Sequence, residues 1–324
     1  MKFVVLNVAA LSILAASSFF PMRAQEPAAK APQSTEAPLP QGDSGRIVAE
    51  VTRVNMLFSV TDKKGRFVTD LTRDDFEVFE NKKPQTIMEF TSETDLPLRL
   101  AILIDTSNSI RDRFKFQQEA AINFINGVMR AQDKATVISF DTSAEMVADL
   151  TGDTNKLETA VRSLRPGGGT ALYDAIFFAC KDKLMQDQPM YKFRRAMVVL
   201  SDGDDNESTH SRDQALEMAQ RADTVIYTIS TNISHIETEG DKVMHYFAEQ
   251  TGGVSFFPFQ AKDLDQSFEN IANELRHQYN LFYRPSPLVT DGQYHPVQIR
   301  VRGHKDLIVR ARRGYYARRP TAGV

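Results

Sequence analysis

The apolar positions of this chain change period twice. Over 54–60, Val54, Met56, Phe58 and Val60 alternate with Asn55, Leu57 and Ser59. That two-residue period belongs to a half-buried strand. A turn at DKKG follows, then FEVFE (76–80) and QTIMEF (85–90) read as two more strands around the turn ENKKP. From 97 onward short apolar runs appear instead: RLAILID (99–105), ATVISF (135–140), RRAMVVLS (194–201) and TVIYTIST (224–231). Such runs are expected of parallel strands covered on both faces. AEMVADL (144–150) follows ATVISF closely enough to form a hairpin, and VSFFPF (254–259) reads as a short strand. Helical segments lie between them. Phe114, Ala121, Phe124, Ile125 and Val128 recur at helical spacing, and NKLETAVRSL, ALYDAIFFACKDKL, SRDQALEMAQRA, KVMHYFAEQT and DLDQSFENIANELRHQ continue the alternation. Ser211 and Gln214 have the spacing of a capping box. After 277 the two-residue period returns in YNLFYRP, HPVQIRVR and LIVRARRGYY.

Strand–helix alternation over 97–276 predicts an α/β fold with a doubly wound, mostly parallel sheet. Ligands of such sheets bind beyond the C-terminal ends of the strands. Neither flanking β segment has enough strands for a core of its own. Segments 46–96 and 277–318 are therefore expected to pair into one small β-sandwich, with the α/β domain inserted between them and a tail at 319–324. The N-terminus reads differently. Lys2 precedes an apolar run over 3–20, interrupted only by Asn7 and a few Ser, and Pro21 and Ala24 follow. Residues 1–24 thus predict a secretory signal peptide, with an uncleaved anchor as the alternative. Residues 25–45, rich in Pro, Ala, Gln and Ser, predict a flexible linker. The expected location is secreted, periplasmic or cell-surface.

Composition adds mainly exclusions. A net charge of −3 and a pI near 6.1 give no global basic field for nucleic acid. The basic stretch 300–320 reads as exposed strand faces and tail, or as a contact for anionic surface polymers or lipid. The single cysteine, Cys180, excludes an intrachain disulfide and sits on the apolar side of a helix, as a buried structural thiol does. G-x-S-x-G, the P-loop pattern and a G-x-G-x-x-G after the first strand are all absent. The remaining enzyme reading is a metal-dependent phosphatase with Asp105 as nucleophile. Such chemistry wants a second acid two residues later, where this chain has Ser107.

Three pieces of sequence fall where α/β strands deliver ligands. They are Asp105-x-Ser107-x-Ser109 after the first strand, Thr170 in PGGGTALYDAI, and Asp202 in VVLSDGDDN. Two carboxylates and three hydroxyls are hard oxygen donors, the set that suits Mg²⁺, with Mn²⁺ or Ca²⁺ as alternatives. Neutral hydroxyls leave such an ion free to accept a carboxylate from a partner. Taken singly, each piece has an ordinary reading. Ser109 with Asp112 could cap a helix, Thr170 could be an N-cap, and Asp202-Gly203 could be a turn. Asp204 and Asp205, with Asn206 and Glu207, form an acidic loop that reads as solvated, as a rim selecting partners, or as a second ion site.

The order and spacing of LAILIDTSNS, GGGTALYDAI and VVLSDG resemble the metal-ion-dependent adhesion site of von Willebrand factor type A domains, over roughly 97–276. With its flanking β segments the chain looks like the bacterial secreted subgroup related to that family. The resemblance implies that Ser107 and Ser109 bind the ion directly, and that Thr170, Asp105 and Asp202 bind directly or through water. Asn108 departs from the glycine common there; asparagine tolerates a left-handed backbone better than most residues. The function implied is an exported, non-enzymatic module that binds a protein or matrix ligand through an Asp or Glu carboxylate on the ion. The alternative is a scaffold with a vestigial site. In the family, movement of the last helix accompanies changes in affinity. Here that helix, 263–278, runs straight into YNLFYRP.

Overall fold

Eight consecutive buried residues, Leu98–Asp105, set the architecture, because a strand with no exposed position must be covered on both faces. The computed structural model describes residues 53–92, 96–232, 236–258 and 261–317, all within the compact unit Glu50–Val324. The expectations of a signal peptide or anchor at 1–24, a linker at 25–45 and a tail at 319–324 lie outside the described residues.

In chain order the first β segment contains β1 (Val54–Thr61), β2 (Phe76–Glu80), β3 (Lys83–Gln85) and β4 (Ile87–Thr91). The α/β part follows as β5 (Leu98–Asp105), α1 (Phe114–Val128), β6 (Lys134–Phe140), β7 (Ala144–Thr151), α2 (Thr154–Ser163), α3 (Leu172–Phe178), β8 (Arg194–Ser201), α4 (Arg212–Arg221), β9 (Thr224–Ser230), α5 (Glu239–Thr251), β10 (Ser255–Phe256) and α6 (Ala261–Glu274). The chain ends in β11 (Tyr279–Tyr283), β12 (Tyr294–Val301), β13 (Ile308–Ala311) and β14 (Gly314–Tyr316).

The six-stranded sheet has the order β10-β9-β8-β5-β6-β7, parallel except for the β6–β7 hairpin. This is the mixed α/β, mostly parallel fold expected. Leu100, Ile102 and Ile104 of β5 face one layer, built by α1, α2 and α6; Ala101 and Leu103 face the other, built by α3, α4 and α5. Burying each such side chain contributes roughly 1.5–3 kcal/mol. Cys180 lies fully buried in the second layer, and burial pushes its thiol up to about 12. The expected helix 171–184 is α only to Phe178; Ala179–Leu184 continues as a π-helix.

Strands from both ends of the chain form two antiparallel sheets, β13-β1-β11-β4 and β14-β12-β2-β3, which share one apolar core around Phe58, Phe76, Val78, Tyr279 and Ile299. Two segments read as single strands are each divided between these sheets. QTIMEF gives Gln85 to β3 and Ile87–Phe90 to β4, so the chain changes sheet at Thr86. LIVRARRGYY likewise changes sheet at Arg312–Arg313. A short apolar run carries no sign of which partner each half will find, so pairing rather than propensity makes the break. At the second crossing Arg312 reaches Asp223 and Arg313 reaches Glu249, both on the α/β part. Much of the basic stretch is thus spent internally, with Arg310 on Glu274 and Arg302 on Glu77 as well. The end of α6 is held the same way: Ser59 of β1 donates to the buried Glu274 carboxylate at 2.6 Å.

One charged cluster sits inside the sandwich. His295, 5% exposed, has Nδ1 2.9 Å from Glu80 Oε1 and Nε2 3.2 Å from Asp291 Oδ1, while Tyr283 donates to Glu80 Oε2 at 2.8 Å. Burial disfavours the imidazolium, but the hydrogen bonds to the two carboxylates outweigh it and raise the His295 pKa. A raised folded-state value adds stability that is complete below the unfolded histidine value, near 6.5, and is lost as pH rises through the folded one. The melting temperature should therefore fall as pH is raised from about 6 into the alkaline range. A pH series of thermal melts on wild type and His295→Gln checks this. The variant should lack that decline, and identical pH profiles would remove the cluster from the account.

Candidate metal centre

Topology brings the three pieces together. From β5 the chain moves to β6 on one side and returns to β8 on the other, so the C-terminal ends of β5 and β8 flank the switch point of the sheet. Ile104 pairs with Leu200, so the next residues, Asp105 and Ser201, emerge side by side.

Asp105 is fully buried. Its Oδ1 accepts from the Ser107 backbone N–H at 2.8 Å and its Oδ2 from the Ser201 hydroxyl at 2.6 Å. Ser201 Oγ in turn accepts from the Gly203 N–H at 3.0 Å. Burial is the largest influence on Asp105 and raises its pKa. The bonds from Ser107 and Ser201 pull it back, the nearby Asp202 charge pushes it up, and it settles at about 6. A second chain of contacts lies above this one. Ser107 Oγ and Ser109 Oγ are 2.9 Å apart, and Ser109 donates to Asp202 Oδ2 at 2.6 Å. Four of the five expected residues thus form one connected polar group.

Thr170 is held separately, by the loop that follows Asp202. Its N–H donates to Asn206 Oδ1 at 2.9 Å, and its carbonyl accepts from the N–H groups of Asn206 and Glu207. The Thr170 side chain is 4% exposed, and its hydroxyl makes no hydrogen bond among the described residues. The loop before it is tied to the first segment: Asn108 donates from both its backbone N and its Nδ2 to the Gly168 carbonyl. Gly168 has φ +79, and a Cβ there would lie 2.8 Å from Thr142 Oγ1, so this turn needs glycine.

Two of the three ordinary readings of the single pieces are not what the structure contains, while the chain does turn at Asp202–Gly203, with Gly203 at φ +83. Ser109 does not cap a helix with Asp112. A 3-10 turn over Asn108–Arg113 precedes α1, and the Ser109 hydroxyl goes to Asp202. Thr170 is not the N-cap of α3, a position held by Ala171. Asn108 does not need the left-handed backbone it would tolerate; among the described residues only Asn81, Lys82 and Asp223 combine positive φ with a side chain. Asn108 compensates through its amide bond to Gly168. In the acidic loop, Asp205 Oδ2 accepts from the Tyr173 N–H and the Ser208 hydroxyl, so it serves the start of α3. Asp204 is exposed; partial burial first, then Asp202 and Asp241, raise its pKa. Sequence reasoning missed Ser201 and Asn206. Ser201 was within reach, because a residue one place before Asp202 on an in-register parallel neighbour must meet Asp105.

Among the described residues no group of three or more His, Cys, Asp or Glu side chains converges as a metal ligand set. Any ion here would depend on hydroxyls beside two carboxylates, Asp105 and Asp202. These five side chains fit a hard divalent cation by donor chemistry, since all are oxygens and the Thr170 hydroxyl is uncommitted.

Residues 100–205 match the family model of the von Willebrand factor type A domain. The human protein "von Willebrand factor A domain-containing protein 3B" is 26% identical over 169 residues, which span 50% of this chain and only 12% of that protein's length. Solved structures with similarity include a von Willebrand factor type A protein from Catenulispora acidiphila, at 15% identity, 76% and 74% coverage of the two chains and TM-score 0.49. Proximal thread matrix protein 1 from the mussel byssus, described with a zinc-occupied MIDAS motif, is 15% identical with 59% and 48% coverage and TM-score 0.48. An aerotolerance-related membrane protein from Bacteroides fragilis is 18% identical with 54% and 98% coverage and TM-score 0.44.

A buried carboxylate with a raised pKa makes a stability statement. Asp105 contributes stability below the unfolded value, near 3.9, that is lost as pH rises through about 6. At neutral pH this amounts to a cost of about 3 kcal/mol in ion-free protein. Asp105→Asn should therefore be more stable than wild type in chelator at neutral pH. The difference should close toward pH 4. Urea titrations at the two pH values measure this, and a variant less stable than wild type at neutral pH contradicts it.

Proposed function

We propose, from the match of residues 100–205 to the von Willebrand factor type A family model, that the chain is an exported binding module whose metal centre holds Mg²⁺, or Mn²⁺ or Ca²⁺, and captures a carboxylate of a protein or matrix partner. One observation carries this reading: Asp105, Ser107, Ser109 and Asp202 meet in one polar network at the switch point of the sheet, and Thr170 is tied to Asn206 in the loop that follows Asp202.

When bound, the ion supplies a positive centre that accepts an anionic oxygen. The chain's own residues supply the rest. Asp105, Asp202, Ser107, Ser109 and Thr170 would offer five oxygen donors, one fewer than the six Mg²⁺ takes. The position they leave open would be available to an anionic oxygen from outside. No bond need break. Asp105 is fully buried with both oxygens engaged, which supports a binding role over the phosphatase reading, where it would have to attack. Domains of this family are in general protein-interaction modules. The export part of the proposal rests on the pattern of residues 1–24 alone.

Two comparisons test the reading. Saturating MgCl₂ should raise the melting temperature of wild type and leave Asp105→Ala and Ser109→Ala unmoved; a ligand present at one hundred times its Kd adds about 2.7 kcal/mol. Capture of partners on immobilised protein should then be lost in EDTA. Melts indifferent to the cation, with partners retained in chelator, would establish the scaffold alternative instead.

A further inference from the structure

We infer that Arg113 and Asp241 are positioning residues that fix the separation of the two halves of the metal centre, an inference resting on the ion-binding reading above. Ser107 and Ser109 belong to the segment that ends at Arg113, while Asp202 follows β8. A direct bond from Ser109 to Asp202 joins the halves. A hydroxyl that turns toward an ion gives up that alignment, so the spacing must be held elsewhere.

The structure contains a second path between the halves. Arg113 closes the 3-10 turn that carries Ser109. Its Nη1 donates to the carbonyls of Thr231 and Asn232 at 3.1 and 3.4 Å, and its Nη2 to that of Pro258 at 3.2 Å. No carboxylate pairs with it among the described residues, so its planar fork is given to the backbone of the segments after β9 and β10. Asn232 passes the connection on, donating from Nδ2 to Asp241 Oδ2 at 2.7 Å. Asp241 is 1% exposed and is held by Ser230 at 2.6 Å and by the capping box it forms with Thr238.

The last link is backbone against backbone. A Cβ built on Gly240 would lie 2.2 Å from the Asp202 carbonyl oxygen, and one on Gly203, where φ is +83, would lie 2.1 Å from that of Gly240. Two glycines are what this approach requires, and through it Asp241 sets where Asp202 sits. The path from Ser109 through Arg113, Asn232, Asp241 and Gly240 to Asp202 therefore closes a ring around the centre. None of its intermediate members offers a ligand to the ion.

A ring that fixes spacing affects ions unequally. Mg²⁺ demands a near-ideal octahedron at about 2.0–2.1 Å, whereas Ca²⁺ accepts about 2.3–2.6 Å and variable geometry. Loosening the ring should cost Mg²⁺ more than Ca²⁺. Isothermal titration of the full chain with MgCl₂ and with CaCl₂ reads this on wild type, Arg113→Lys, Arg113→Gln and Asp241→Asn. Arg113→Gln and Asp241→Asn should lose about tenfold or more in Mg²⁺ affinity, the usual scale for partners that orient ligands, with clearly smaller losses for Ca²⁺. Arg113→Lys, which keeps the charge but not the fork, should lie between. A merely structural role predicts parallel losses for both ions, and that result overturns the inference, as do unchanged affinities in folded variants. Should Asp241→Asn fail to fold, the half-buried Arg113 decides through its two variants. A wild type that binds neither ion overturns the metal-centre reading itself, and this inference with it.

Discussion

A carboxylate at the end of a fully buried strand is the constraint on which the rest of the site depends. β5 has eight buried residues, and the last of them is Asp105. A lone buried charge is costly, and the fold meets that cost with two donors, the Ser107 N–H and the Ser201 hydroxyl. Those donors determine the local structure. The first bends the chain so that Ser107 and Ser109 face the crevice. The second places Ser201 so that Gly203 can bond to it, which turns Asp202 toward Ser109. Even so, burial prevails, and the carboxyl stays well above its ordinary range. The site thus keeps a residue that weakens the ion-free fold.

The sandwich is joined to the α/β part by charge as much as by packing. Arg312 meets Asp223 and Arg313 meets Glu249, while within the α/β part Arg194 donates to the Leu275 carbonyl just past α6. Exposed ion pairs contribute only about 0–1 kcal/mol each, so Arg313–Glu249 at the rim matters less than the buried bond from Ser59 to Glu274. Burial raises the pKa of that carboxyl, against the pull of Ser59 and Arg310. The end of α6 is therefore fastened to β1 and β13 together, which makes the sandwich a fixed abutment for the last helix of the sheet.

Much of this was legible in the sequence, and the exceptions share a cause. Apolar runs located β5, β6, β8 and β9, because strands covered on both faces are mostly apolar, whereas β7, which has no buried residue, was found by its closeness to β6. The same property located Asp105, as the place where such a run stops on a charge. What period could not supply was partnership. QTIMEF and LIVRARRGYY have continuous strand character, yet each divides between two sheets, because β2 and β11 claim different halves of the first, and β1 and β12 of the second. The roles of Ser109 and Thr170 were ambiguous for the same reason. A hydroxyl near a helix start is a cap until a carboxylate 93 residues away is known to be its neighbour. Arg113 was invisible because its partners are backbone carbonyls, which leave no motif, and the Thr238–Asp241 capping box marks only the start of α5 and gives no sign of Asn232 or Asp202.

The acidic loop shows how partnership limits chemistry. Read as sequence, Asp204, Asp205, Asn206 and Glu207 offer an abundance of cation ligands beside Asp202. In the fold two of the four are committed to construction: Asp205 holds the start of α3 and Asn206 holds the Thr170 backbone. That leaves Asp204 and Glu207 exposed at the margin. The loop therefore gives the centre its shape without adding a third carboxylate to it. For the proposed function this division is what counts. In the proposed reading, two carboxylates and three hydroxyls give five of the six oxygens Mg²⁺ takes, and the loop supplies no sixth.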